Sequence, residues 1–290
     1  MQQAIDKADV LIEALPYIQD FRGETIVVKF GGSAMEDKRH YTGILTDVTF
    51  MECVGMLPVV VHGGGKAISR AMTEAGLAPR FVKGLRVTDD ATIRVVEDVI
   101  KNQINAGIVA TLIEQGARAR SIDGFTVFQV DKRTARDAAT GETLDWGYVG
   151  EIRTVDTAPI TACLQDNAIP VITPLGRGAD GKLYNLNADD AAAAVAKALR
   201  ARKLAYLSDV PGLLRDRADE STLLSALRIR EVEELIRGGV IDGGMLPKIR
   251  SCVEALEAGV KKIHIIDGRL SHSLLLEIFT DKGVGTEITE

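Results

Sequence analysis

Short apolar runs rich in valine and isoleucine recur along the chain, and between them lie longer stretches whose apolar residues repeat three and four apart. The short runs predict strands at Thr25–Phe30, Pro58–Val61, Thr126–Val130, Ala168–Thr173, Leu204–Ser208 and Lys262–Ile266. The longer stretches predict helices over Lys38–Val54, Lys66–Ala75, Asp90–Val99, Ala106–Glu114, Asp156–Asp166, Asp189–Arg200, Arg230–Arg237 and Leu246–Ala258. Gly76, Gly116 and Gly259 fall where glycine terminates helices. Strand and helix alternate as in βαβ units, so the expected fold is α/β, with a central, mainly parallel sheet covered by helices.

Three segments stand outside this alternation. Ile5, Ala8, Leu11, Ile12 and Leu15 take helical spacing, and Pro16 is expected to end or kink that N-terminal helix. It either packs on its own domain or forms an arm docking on another subunit; spacing alone does not choose. The stretch "DKRTARDAATGETLDWGYVG", Asp131 to Gly150, is polar and turn-rich and reads as a hairpin or excursion. Turn residues also cluster in "GRGADGKLYNLN", Gly176 to Asn187, where a boundary between two lobes is expected.

Composition narrows the classes. The 290 residues are 46% hydrophobic, enough for one large or two intimate domains. A formal net charge of −6 with no basic run argues against nucleic acid as the main partner. No apolar run approaches a membrane span, and Asp6, Asp9 and Glu13 interrupt any signal-peptide core, so no membrane partner is expected. Cys53, Cys163 and Cys252 are odd in number and lack CxxC spacing, and the histidines show no HExxH pattern. A reducing, cytoplasmic setting without protein metal ligands is the expectation.

The candidate chemistry lies in glycine turns. "VVVHGGGKAIS" fails the P-loop pattern, because Ala67 replaces Ser or Thr and the spacing to an earlier glycine is wrong. It also fails GxGxxG, since Ile68 holds the third glycine position. Yet "IVVKFGGSAM" repeats its architecture: a strand runs into paired glycines and then a helical stretch. Two such turns, with unobstructed backbone N–H groups, suit anions. Lys29, inside an apolar strand, either snorkels to water or meets negative charge; the adjoining turn favours a phosphate. In "NLNADDAAAAVAKAL", Asn187 suits a helix N-cap with Asp189 and Asp190 in the first turn, which leaves Asn185 unexplained. In "DGGMLPKIRSCVEAL", Lys248 lies near a helix start, the end that disfavours cations. That placement again suggests an anionic partner, whereas Lys66 reads as an ordinary first-turn lysine.

Taken in order, "VVKFGGSAM", "VVVHGGGKAIS", "GLRVTD", "NLNADDAAAAVAKAL", "LSDVPGLL", "GGMLPKI" and "HIIDGRLSHSLLLEIFTDKGVGTEI" resemble the amino-acid kinase family, in particular its members acting on N-acetyl-L-glutamate. The resemblance implies a three-layer αβα sandwich of two lobes, with residues 23–184 holding the amino-acid substrate, residues 185–290 holding ATP, and an oligomerisation arm at 1–22. It implies that Lys29 and Lys248 flank the transferred phosphoryl group with Asp189 between them, and that Gly31 and Gly32 bind phosphate. Gly64, Gly65, Arg86 and Asn185 would bind the acceptor, and Ser208, Asp209, Val210, Gly212 and Leu213 the nucleotide. ATP and Mg²⁺ would be the cofactors, with no metal ligand from protein side chains. Its arginine-sensitive members further imply inhibition by L-arginine near Tyr17, Lys203, His272, Glu277 and Gly285, and a hexamer built as a trimer of dimers. A nitrogen-signalling PII-type partner is neither implied nor excluded. One stretch departs from the family: "ARARSIDGFTVFQV", Ala117 to Val130, stands where a Gly-Leu-Ser-Gly-x-Asp-like run is common, although "GYVGEI" fits. The rival readings are a sister kinase for glutamate, N-blocked aminoadipate, aspartate, carbamate or UMP, and a non-catalytic nucleotide- or amino-acid-binding regulator.

Overall fold

A computed structural model of the chain describes residues 1–136, 141–280 and 283–290. Parts of the polar segment (137–140) and of the C-terminal motif (281–282) lie outside the described residues.

Along the first half run α1 (Gln2–Phe21), β1 (Thr25–Phe30), α2 (Lys38–Cys53), β2 (Leu57–His62), α3 (Gly65–Glu74), the short pair β3 (Phe81–Val82) and β4 (Leu85–Arg86), α4 (Asp90–Asp98), α5 (Ala106–Glu114), β5 (Ala119–Ile122), the turn α6 (Gly124–Val127), β6 (Phe128–Arg136) and β7 (Thr143–Val155). The second half carries α7 (Ala158–Gln165), β8 (Ile169–Ile172), β9 (Leu175–Gly178), β10 (Leu183–Asn185), α8 (Ala188–Leu199), β11 (Lys203–Ser208), β12 (Ala226–Arg228), α9 (Ile229–Arg237), α10 (Met245–Glu257), β13 (Lys262–Asp267), α11 (Ser273–Ile278) and β14 (Thr286–Thr289).

Eight strands form one sheet in the order β12-β14-β13-β11-β1-β2-β8-β5. All neighbouring pairs are parallel except β13 with β14. Strand alternation decides which residues meet which helices. On β1, Ile26, Val28 and Phe30 pack with Leu45, Val48, Ile108, Leu112 and Leu274 of α2, α5 and α11, while Val27 packs with Val195, Ala196, Ile249 and Cys252 of α8 and α10. Both faces are therefore covered, giving the expected three-layer αβα sandwich, with the most apolar and buried strands at its centre. β6, β7, β9 and β10 close on one another in a separate small sheet beside α8.

Most expected elements are present, with informative differences. Pro16 does not end α1, which continues to Phe21; one missing N–H is tolerated because the last turn is anchored by buried Phe21 and by Tyr17 against Phe279. The helix expected to stop at Val99 instead runs through a π-helical turn, Val99–Asn105, directly into α5. The strand expected at Thr126 begins only at Phe128, because Asp123 accepts from the Phe125 N–H and caps the turn α6. The polar segment is a hairpin, β6 pairing antiparallel with β7 from Phe128–Val155 to Arg136–Thr143. Gly176–Asn187 carries the β9–β10 hairpin, and β10 leads straight into α8.

Candidate active site

β1 lies between β11 and β2; the chain passes from β1 to β2 on one side and from β11 to β13 on the other, and crevices open beyond the strands' carboxyl ends at such a switch point. Lys29 is the penultimate residue of β1 and shares its face with Val27, the face covered by α8. Asn187 caps α8 by accepting from the Asp189 and Asp190 N–H groups at 2.8 and 3.2 Å, which sets Asp189 in the first turn. Its carboxylate oxygens then face one lysine each: Lys29 Nζ at 2.7 Å and, from the first turn of α10, Lys248 Nζ at 2.8 Å. Burial opposes ionisation of Asp189, but the two ammonium groups outweigh it and hold the carboxyl at about 2. The three side chains are 14%, 22% and 13% exposed, too little for free hydration of three charges. Lys248 thus tolerates the unfavourable helix end because a carboxylate faces it.

Tyr206 completes this floor. It pairs with Lys29 in the β1–β11 register, its ring lies 4.7 Å under Lys248 Nζ, and its hydroxyl donates to the Asp189 carbonyl at 3.1 Å. Sequence reasoning missed Tyr206, since only the register of two strands far apart in the chain brings it here.

Two clefts meet at this floor. The first, about 640 Å³, is lined by Lys29, Gly31, Gly32 and Lys248, and by Ser208, Asp209, Val210, Gly212 and Leu213, all five of the expected nucleotide-contact residues. The second, about 510 Å³, is lined by Gly63, Gly64, Gly65 and Arg86, together with Lys29 and Gly32. The glycine turns touch: a Cβ on Gly31 would lie 3.1 Å from Gly63 Cα, so a side chain there would force the turns apart. Gly63 is a further residue the sequence reading passed over; its signal was the first glycine of "HGGG".

Arg86 is buried, which lowers its pKa, and its guanidinium donates to the Gly65 carbonyl at 2.7 Å and to Ser69 Oγ at 2.8 Å above the Phe81 ring. The "GLRVTD" and "GYVGEI" motifs are stitched together beside it, the Thr88 N–H donating to Trp146 and the Tyr148 N–H to Thr88. Lys66 is engaged by Glu36 at 2.7 Å, and the pair lines the second cleft. Asn185 pairs within the small sheet and does not line either cleft. Among the described residues no three His, Cys, Asp or Glu side chains gather as a metal site.

The residues expected around arginine lie on the other side of the sheet, near α11. Glu277 accepts from the Val284 and Gly285 N–H groups at 2.6 and 3.0 Å and meets His264 Nδ1 at 2.6 Å. Lys203 is buried with its ammonium over the Phe21 ring at 4.9 Å, and burial lowers its pKa. Tyr17 stands edge-on to Phe279, while His272 turns to Asp47 of α2 at 2.6 Å. Glu277 and Gly285 are thus in direct contact, and Tyr17 and Lys203 border the same apolar cluster.

Residues 24–267 match the amino acid kinase family. The chain is 46% identical to the acetylglutamate kinase of Symbiobacterium thermophilum, covering 100% of this chain and 99% of that protein. It is 47% identical to the acetylglutamate kinase of Carboxydothermus hydrogenoformans, covering 100% of both. Among solved structures, N-acetylglutamate synthase from Neisseria gonorrhoeae complexed with coenzyme A and N-acetyl-glutamate superposes with a TM-score of 0.83 at 30% identity. That match covers 97% of this chain and 62% of the synthase, so the chain spans about three-fifths of that longer protein. The same synthase complexed with coenzyme A and L-arginine gives a TM-score of 0.79 at 30% identity, over 96% of this chain and 64% of the synthase.

Proposed function

The chain belongs to the amino acid kinase family, and from that premise we propose that it transfers the γ-phosphoryl group of ATP to the side-chain carboxylate of N-acetyl-L-glutamate, giving the acyl phosphate used in arginine biosynthesis. The observation that carries this reading is the convergence of Lys29 and Lys248 on Asp189 at the floor shared by the two clefts. ATP occupies the larger cleft, in the 185–290 lobe, with its γ-phosphate toward Gly31 and Gly32. The acceptor occupies the smaller cleft, in the 23–184 lobe, with its α-carboxylate on Arg86.

The acceptor carboxylate is ionised near neutral pH and needs no general base. One of its oxygens attacks the γ-phosphorus while the bond from that phosphorus to the bridging oxygen breaks, and the electron pair leaves on ADP. Negative charge spreads over the transferring group, and the task is to bring two anions into line. Lys29 approaches from the acceptor side and Lys248 from the nucleotide side, while Asp189 keeps both ammonium groups stationed. Mg²⁺ held by the nucleotide phosphates would supply further charge neutralisation.

Inhibition by L-arginine at the α11 region, through Tyr17, Lys203, His272, Glu277 and Gly285, belongs to the same proposal. It is supported by the cluster around Glu277 and by the arginine-bound form of the synthase relative. So does a hexamer in which α1 docks on a second copy of the chain, supported by Val10, Leu11 and Ile12, which stay 64%, 67% and 66% exposed. A coupled assay of ADP release tests the whole reading: turnover is expected with N-acetyl-L-glutamate, not with free glutamate, and is expected to fall when arginine is added. Turnover with free glutamate alone would replace this substrate by that of a sister kinase.

A further inference from the structure

The glycine turn after β2 is held from behind by a buried polar pair. His62, the last residue of β2, and Asn105, the last of the π-helical turn, are both fully buried. Asn105 Nδ2 lies 2.9 Å from the Val171 carbonyl oxygen and 3.1 Å from His62 Nε2. A carbonyl oxygen only accepts, so the atom facing it is the amide nitrogen, which has a hydrogen for each neighbour. His62 Nε2 is then the acceptor, and the ring proton sits on Nδ1. Nδ1 lies 3.0 Å from the Gly63 carbonyl oxygen, the acceptor that this proton requires. Burial keeps the ring neutral, lowering its pKa to about 4 against the opposing pull of the Gly63 carbonyl.

The C=O and N–H of a trans peptide point in opposite directions, and the described residues contain no cis peptide. Drawing the Gly63 oxygen inward to His62 therefore turns the Gly64 N–H outward, on the side of the acceptor cleft that Gly64 lines. The peptide on the other side of Gly63 is fixed as well, its N–H donating to the Phe30 carbonyl at 2.8 Å. The π-helical turn also seats Ile100 and Ile104 against the loop; their Cδ1 atoms would stand 2.7 Å from a Cβ on Gly64.

We propose that Val171, Asn105, His62 and Gly63 form a hydrogen-bonded relay that aims the Gly64 N–H at the oxygen on which charge develops during transfer, so that His62 and Asn105 are positioning residues. The catalytic part of this inference rests on the kinase reading of the cleft. The wide π-helical turn gains a purpose from it: it delivers a donor to His62 and apolar side chains to Gly64 from one element.

Imidazole ¹⁵N spectra of the full-length protein test the relay without reference to activity. His62 is expected as the neutral Nδ1–H tautomer, and the Nε2–H tautomer overturns the proposal. The variant N105L keeps the branched side-chain shape and removes both donors, and H62F keeps a ring without the Nδ1 donor. Each is expected to lower kcat about 10- to 100-fold with KM for ATP within about two-fold, measured well below its own melting temperature. A folded N105L that keeps kcat within two-fold of the parent overturns the proposal. Should the parent protein phosphorylate no acyl amino acid, the kinase reading falls, and the tautomer alone still decides for or against the relay.

Discussion

At the scale of single residues, the site gathers cations around one acid. Lys29→Ala and Lys248→Ala are each expected to reduce kcat by about 10²–10⁴-fold, as for loss of a group that stabilises transition-state charge. Circular dichroism and melting curves would show the fold retained; near-normal turnover in either folded variant removes that lysine from the chemistry. The ordinary value for the Asp189 carboxyl is 3.8 and its value here is about 2, so it is depressed. The stability and geometry contributed by the ionised form are therefore complete above about pH 4 and are lost only as pH falls toward 2. A kcat profile should show no acid limb from Asp189 between pH 5 and 8, and such a limb vanishing in Asp189→Asn would contradict this assignment. Lys29 and Lys248 were legible in the sequence because each occupies a costly place, an apolar strand and the wrong helix end. Spacing left the choice between Asp189 and Asp190 open, since both suit a first helical turn; the resemblance named Asp189, and the direction of α8 separates the two.

At the scale of elements, Asp190 performs a different task from its neighbour. It meets Arg133 of β6 at 3.2 Å and accepts from Ser251 Oγ of α10 at 3.2 Å, joining the hairpin, α8 and α10 one helical turn from Lys248. Both partners of the ion pair are about a third exposed, so Asp190→Ala should cost less than about 1 kcal/mol of stability. It is nevertheless expected to lower kcat several-fold, because α10 would no longer be registered against α8; unchanged kcat in steady-state kinetics would show the link to be ornamental. Gly31→Ala probes the contact between the two turns. Its Cβ would press on the Gly63 backbone, which cannot yield as a side chain can, so at least about a ten-fold loss of kcat is expected. The long strands and helices could be read from periodicity because one buried face repeats over several turns or pleats. β9, β10 and β12 could not, being three or four residues long and stabilised only by partners elsewhere in the chain. The π-helical turn also escaped, since its extra residue per turn breaks the spacing on which helix detection rests.

At the scale of the whole molecule, one sheet runs through both proposed lobes, with β1 at its centre, while α1 projects apolar residues that its own chain does not cover. Deleting residues 1–20 is expected to lower the mass measured by analytical ultracentrifugation from a hexamer to a smaller species and to weaken arginine inhibition. A truncated protein retaining both would leave α1 as a simple packing helix. The spacing of Ile5, Leu11, Ile12 and Leu15 made the helix legible, but not its exposure, which depends on the rest of the fold. The common wall formed by Lys29 and Gly32 has a bearing on ligand engineering. Because both clefts border these two residues, a nucleoside joined through a short polyphosphate to an acyl-glutamate could reach into both at once. Tethering makes the second docking event intramolecular, at an effective concentration on the order of millimolar for a well-matched tether. Such a two-headed compound would report the distance between donor and acceptor directly, through the tether length at which its grip is tightest.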